Sequence, residues 1–446
     1  MHKQGMEAFF MKKITKSGEI IMTKDYKIET QAIHAAQTID ETGSRAVPLH
    51  QTTAYVFDDV AQGANRFALT EGGNIYTRIT NPTQGVFEGR VAALEGGSAG
   101  LAVASGMAAI SYAIQVLAKA GDHIVATANL YGGSHNLFEH TFKDFGIDVT
   151  IVDTSDLANV DQAIQDNTKA VFVETIGNPA GNIEDISGLA EVAHKHGIPL
   201  IIDNTFATPY LSRPIEHGAD IVVHSATKFI GGHGTSIGGV IVESGQFDWK
   251  QNDKFPGLSQ ADPTYNDLIF ADAFGPAAYT TKIRATLLRD TGASISPFNA
   301  WLLVQGLESL HVRMDRHVEN AEKVATFLAQ HDKVEWVDYA GLESSPYYSL
   351  KEKYLPLGAG SIFTFGVKGG YEGGVKFIEN LELFSLLANV GDAKSLVVHP
   401  ASMTHSQLTE EELADGGIKP ETIRLSIGIE NVDDIIADLD KALAAI

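Results

Sequence analysis

Two residues, Asp203 in IPLIIDNTF and Lys228 in DIVVHSATK, carry the chemistry this sequence suggests. Each follows a short apolar run of the kind that forms a buried strand, so parallel strands would bring both side chains to one sheet edge. A desolvated lysine amine is a nucleophile toward carbonyl carbon, and a nearby carboxylate can hold a protonated pyridine nitrogen. Taken singly, Lys228 reads first as an ordinary strand-end lysine and Asp203-Asn204 first as a turn.

A third component lies upstream. In VASGMAAI, Ser105-Gly106-Met107 stands between a strand and a helix start, where unbonded N–H groups and the helix dipole attract an anion. The same three residues also read as a plain helix cap. Ser225 and Thr227 share the edge of Lys228 and read either as hydroxyl donors or as residues that merely cap a turn. Tyr131, in NLYGGSHNLF, follows a predicted strand; its ring could cover a flat heterocycle and its phenol could move a proton, or it is simply a half-buried strand-end tyrosine. Amine, carboxylate, phosphate cradle and ring together match the needs of pyridoxal phosphate. Tyr76 and Arg78, in NIYTRITNPT, precede the main sheet in a segment that reads as an arm, with a phosphate contact and a surface arginine both open for Arg78. Arg424, at the head of RLSIGIE, suits two-point binding of a carboxylate or an interdomain salt bridge, and Ser395 precedes a second apolar run in GDAKSLVVHP.

The elements that must position these groups follow from periodicity. AGLAVAS, HIVATA, DVTIVD, AVFVET, IPLIID and DIVVHS predict strands, and MAAISYAIQVLAKAG, DLANVDQAIQD and ISGLAEVAHKHG predict helices between them. Such alternation implies an α/β domain with a largely parallel sheet covered on both faces, which places ligands beyond the carboxyl ends of the strands. From about residue 243 to 296 the pattern gives way to a mixed stretch that reads as an insertion. A long helical pattern resumes at Pro297, with Leu303, Leu307, Leu310 and Met314 on one face, and a smaller α+β domain follows over 297–446. The expected organisation is therefore an extension over 1–22, expected to be disordered, an arm over 23–82, a large domain over 83–296 and the C-terminal domain.

Composition narrows the classes. The 446 residues carry a formal net charge of −23, which disfavours nucleic acid and anionic membranes as main partners. There is no cysteine, so disulfide and thiolate chemistry are excluded. The 16 histidines show no ligand spacing, and His194 and His196 read as solvent-exposed at a helix end, so no metal is expected. No apolar run reaches membrane-spanning length and the N-terminus lacks a cleavable leader pattern, so the expected location is cytoplasmic.

In their order along the chain, YTRITNPT, ASGMAA, LYGGS, ETIGNPAGN, DNTFATP, HSATKFIGGHG, GDAKSLVVHPASMTH and RLSIGIE resemble the cystathionine γ-synthase-like group of fold-type I pyridoxal-phosphate enzymes, the Cys/Met metabolism family. The likeness runs from about Thr30 to Ile446. It implies a mostly parallel central sheet flanked by helices, with a smaller C-terminal domain. It also implies that Lys228 forms the Schiff base, that Asp203 pairs with the pyridinium, and that Tyr131 stacks on the ring and assists proton transfer. Gly106, Met107, Thr205, Ser225 and Thr227 would bind the cofactor within the subunit, Tyr76 and Arg78 would reach the phosphate of a neighbouring one, and Asn178, Ser395 and Arg424 would hold the substrate carboxylate. The resemblance further implies a homotetramer built from active dimers.

Within the group, the sequence around Lys228 and the stretch between Val242 and Pro297 resemble the enzymes that replace the acetoxy group of O-acetyl-L-homoserine with sulfide or a small thiol. Ser134 and His135 depart from the Thr-Tyr often found there, which leaves the acyl preference open. A γ-lyase or cystathionine γ-synthase activity on the same scaffold is the alternative. A non-catalytic α/β protein binding a phosphorylated ligand is a remoter one, and it leaves the pairing of Asp203 with Lys228 unexplained.

Overall fold

The computed structural model describes residues 26–403 and 419–446; the expectation for residues 1–22 falls outside them. The larger sheet contains Ala99–Val103 (β1), His123–Thr127 (β2), Asp148–Val152 (β3), Thr168–Glu174 (β4), Leu200–Asp203 (β5), Ile221–Ser225 (β6) and Gly239–Glu243 (β7), in the spatial order β1-β7-β6-β5-β4-β2-β3. The six strands expected from the sequence all form. Their near-continuous runs of Val, Ile and Ala suit strands covered on both faces, and β2, β6 and β5 are buried almost throughout.

The seventh strand was not expected. Gly239–Glu243 slips between β1 and β6 and runs antiparallel to both, so the sheet is mixed at that end. Its apolar Val240-Ile241-Val242 is as good a strand signal as the others. It falls just before the stretch read as an insertion, where a βαβ expectation has no place for a strand that follows its neighbour without a crossover helix. Because β7 reverses, β1 still points the same way as β6, and the ends of β1, β4, β5 and β6 gather at one edge.

Helices cover the sheet. Pro82–Glu95 (α1) begins with proline at its first position and Asn81 accepting from the Thr83 N–H at 2.9 Å, and ends at Gly96 with φ +75°. Gly106–Gln115 (α2) and Ile186–Lys195 (α3) follow β1 and β4. The long helix expected from Pro297 is two: Pro297–Glu308 (α4) and Leu310–Ala329 (α5), broken at Ser309. The break leaves the Gly306 carbonyl without its usual helical partner, and the Arg313 guanidinium fills that role at 2.7 Å. Leu303, Leu307, Leu310 and Met314 are all buried, as their shared face predicts.

The second sheet contains Val334–Asp338 (β8), Ile362–Val367 (β9), Ser385–Leu386 (β10), Leu396–Val398 (β11) and Thr422–Ser426 (β12), in the order β10-β11-β12-β9-β8. All its pairings are antiparallel except β10 with β11. Val432–Leu443 (α6) packs on it, with Asp438 accepting the N–H groups of Glu382 and Leu383 at 2.9 Å each. Among the described residues, no helix is long and apolar enough to cross a membrane.

Candidate active site

Asp203 ends β5 and its neighbour across the ladder is Glu174, the last residue of β4. Two buried carboxylates side by side cannot both ionise cheaply. Glu174 is held well above the usual carboxylate range, first by burial and then by the charge of Asp203. Asp203 is also raised by burial, an effect that Thr205 partly offsets. One oxygen, Oδ1, accepts from the Thr205 N–H at 2.9 Å and from its hydroxyl at 2.5 Å. The Thr205 hydroxyl in turn accepts from the Ser225 N–H at 2.8 Å, linking the ends of β5 and β6. The second oxygen of Asp203 has no donor among the described residues, so a desolvated carboxylate stands ready for a cation such as a protonated ring nitrogen.

Ser225 lies against the start of α2. A Cβ added to Gly106 would stand 2.5 Å from the Ser225 Cβ and 2.8 Å from its Cα, so only glycine admits this approach. Ser105 caps the helix by accepting from the Ala108 N–H at 3.1 Å. The N–H groups of Gly106 and Met107 are left without acceptors among the described residues. With the Ser225 hydroxyl beside them they form a cluster of donors with no built-in anion, which suits a phosphate group. Thr227 exchanges hydrogen bonds with the backbone of Gly238, accepting at 3.1 Å and donating at 3.2 Å, and so fixes the turn that carries Lys228.

Burial, and then the charge of Arg424, pulls the Lys228 amine below its ordinary pKa. Both effects raise the fraction present as free, nucleophilic amine at neutral pH. The turn itself is clamped from behind by the buried Arg313, whose guanidinium donates to the carbonyls of Phe229 and Ile230 at 2.6 and 3.2 Å.

Tyr131 is half exposed, and its N–H donates to Glu174 Oε1 at 2.7 Å. Its ring folds over Gly133, where a Cβ would meet it at 2.5 Å. Arg424, in β12 of the second sheet, is buried, and desolvation pushes its pKa down to about 10 against the opposing influence of Tyr131. It donates to Asn178 Oδ1 at 3.0 Å. The rest of this desolvated guanidinium fork has no hydrogen-bond acceptor among the described residues, a setting that favours a carboxylate.

Not every expected residue joins this cluster. The Ser395 hydroxyl is fully buried and committed: it donates to Glu430 Oε2 at 3.0 Å and accepts from the Gly428 N–H at 2.9 Å. Tyr76 and Arg78 hydrogen-bond to none of the site residues; the Arg78 guanidinium lies 5.2 Å from the centroid of the Tyr76 ring, and its Nε is buried without a partner. Sequence reading passed over Glu174, although ET ends its strand as ID ends β5. It also passed over Arg313, inside the long helical pattern, and Asn389, two residues before GDAKSLVVHP.

The family model for Cys/Met metabolism PLP-dependent enzymes matches residues 29–444. An O-acetyl-L-homoserine sulfhydrylase of Leptospira meyeri is 52% identical over 437 residues, 96% of this chain and 98% of its own. A homocysteine synthase of Schizosaccharomyces pombe is 52% identical over 93% of this chain and 97% of its own. A crystal structure described as that of an O-acetylhomoserine (thiol)-lyase from Campylobacter jejuni, with N'-pyridoxyl-lysine-5'-monophosphate in its chain, superposes with a TM-score of 0.91. It is 45% identical and covers 94% of this chain and all of its own. A desolvated lysine, a carboxylate wanting a cation and a donor-only cradle at one sheet edge thus occur in a chain that belongs to the Cys/Met metabolism family of pyridoxal-phosphate-dependent enzymes.

Proposed function

We propose that this enzyme replaces the acetoxy group of O-acetyl-L-homoserine with sulfide, releasing L-homocysteine and acetate, and that Lys228 is its cofactor-bearing lysine. The observation that carries the reaction is the 52% identity, over nearly the whole of both chains, to relatives named for that chemistry. When bound, pyridoxal phosphate supplies an electron sink that makes the hydrogens on Cα, and then on Cβ, removable.

The remaining roles fall to the chain's own residues. Asp203, raised by burial, gains a counter-cation when a protonated ring nitrogen faces it. Gly106, Met107 and Ser225 hold the phosphate, Thr227 fixes the adjoining turn through the Gly238 backbone, and Thr205 keeps Asp203 aimed. Arg424, with Asn178, takes the substrate carboxylate in two-point fashion; Ser395 supports that site through Glu430 and the Gly428 backbone. The Lys228 amine, displaced by the substrate amine, removes the Cα proton. Tyr131, close enough to Arg424 to influence its charge, covers the reacting atoms and assists proton transfer. Tyr76 and Arg78 act in the neighbouring subunit of a homodimer; neither hydrogen-bonds to a site residue of its own chain, and Tyr76 is partly exposed.

The test is incubation of the holoenzyme with O-acetyl-L-homoserine, with and without sulfide, and identification of products by mass spectrometry. Homocysteine formed only with sulfide is expected. 2-Oxobutanoate formed regardless of sulfide would replace this reading with a γ-lyase.

A further inference from the structure

Lys228 has a partner from the far end of the chain. Its Nζ donates to Oδ1 of Asn389 at 2.5 Å, from the segment that joins β10 to β11. An ammonium only donates, so the amide oxygen must face it and the NH2 must turn away. That NH2 has no acceptor among the described residues.

The contact is held by packing on both sides. Two residues on, a Cβ at Gly391 would stand 2.8 Å from the Phe229 nitrogen and 3.1 Å from its ring, so the segment lies directly on the Lys228 turn. The Gly391 N–H donates to the Ser426 hydroxyl at 3.0 Å, and the Ala393 N–H to the Gly232 carbonyl at 3.0 Å. Arg313 holds the other side of the turn through the Phe229 and Ile230 carbonyls. Amine and acceptor therefore belong to one rigid assembly of the two sheets.

We propose that Asn389 is a positioning residue that holds the Lys228 amine in place whenever that amine is not bonded to the cofactor. A lysine side chain has four rotatable bonds, and a freed amine that wanders must be recaptured before it can take a proton. Arg424 nearby disfavours the ammonium, and a carboxylate in place of Asn389 would fix the amine in its charged, non-basic form. A neutral carbonyl oxygen orients the amine without either effect. The inference rests on Lys228 being the cofactor-bearing lysine.

The test uses holoenzyme and apoenzyme of the wild type, Asn389→Leu and Asn389→Ala. Borohydride reduction with peptide mapping is expected to mark Lys228 in all three holoenzymes. For O-acetyl-L-homoserine, kcat falls about tenfold in both variants while KM changes less than about threefold. The primary isotope effect from substrate deuterated at Cα grows, because proton transfer has become the slower step. In the apoenzymes at one neutral pH, acetic anhydride acylates Lys228 about fivefold faster in the variants, since the amine is no longer tied to an acceptor. Lys228 marked normally, with kcat, isotope effect and acylation rate all unchanged, would overturn the role of Asn389 alone. A rise in KM with kcat and acylation unchanged would make Asn389 a substrate contact and overturn it equally. Reduction that marks a different lysine would overturn the reading of Lys228 and this inference with it.

Discussion

On the proposed reading Lys228 carries the proton transfers and Arg424 holds the substrate carboxylate, and their substitutions separate the two roles. Lys228→Ala removes the nucleophile and the base together, so kcat falls by roughly 10³-fold or more while the fold and non-covalent cofactor binding persist. Near-normal turnover in that variant would refute the assignment. Arg424→Ala deletes a desolvated, charge-assisted contact, which raises KM for the amino acid by roughly 10–100-fold. Arg424→Lys does not restore it, because a point charge cannot replace the planar fork; steady-state kinetics of both variants decide the matter. The placement of these two residues and of Asp203 could be read from the sequence because each stands near the end or head of an apolar run, although a carboxylate site and a salt bridge both stayed open for Arg424. That of Asn389 could not: its contact with Lys228 spans 161 residues and is made by a side chain from a segment with no periodicity of its own.

Among the elements, α5 ties the second sheet to the turn behind Lys228, and it carries a buried histidine that makes this tie sensitive to acid. The His317 Nδ1 bonds the Ile427 carbonyl at 2.7 Å, its Nε2 has no partner, and its ring meets Phe229 edge-on at 5.1 Å. Burial, helped by the charge of Arg313 and opposed by Ile427 and Asp392, pushes its pKa down to about 4 from 6.5. The unfolded chain therefore binds a proton on this side chain before the folded one does. Its contribution to stability is complete above pH 6.5 and is lost as the pH falls toward 4, up to about 3 kcal/mol in all. In His317→Gln, whose amide still donates to Ile427, the urea midpoint loses correspondingly less between pH 7 and pH 4; parallel profiles for wild type and variant would show that His317 does not carry the effect. Arg313→Ala strips donors from three buried carbonyls at once, those of Phe229, Ile230 and Gly306, and costs about 3 kcal/mol or more in thermal unfolding. The sequence announced six strands of the large sheet and the apolar stripe of α4 and α5, since both follow from period. It did not announce β7 or the break at Ser309. The run Val240-Ile241-Val242 is itself a strand signal, but its antiparallel place between β1 and β6, like the helix interruption filled by Arg313, is decided by tertiary partners.

At the scale of the whole molecule, the single chain is asymmetric in what it leaves uncovered. Val56, Val60 and Phe67, ahead of the large sheet, are 92%, 90% and 61% exposed, and the same segment carries Arg78 and Tyr76, the latter 41% exposed. Exposed apolar side chains of this size are what a chain shows when their complement lies in a second copy. If Arg78 completes the phosphate site of a neighbour, Arg78→Ala and Lys228→Ala are each inactive as pure oligomers, but for different reasons. A mixed dimer then contains one site that lacks both residues and one that has both. Dissociating the two variants, mixing them in equal amounts and letting them reassociate makes half of the dimers mixed, so about a quarter of wild-type activity should return. The recovery must appear only after subunit exchange and must track the fraction of mixed dimers seen by native mass spectrometry. Mixed dimers that form in that proportion and stay inactive would confine Arg78 to its own subunit and leave the exposed arm to be explained by packing alone.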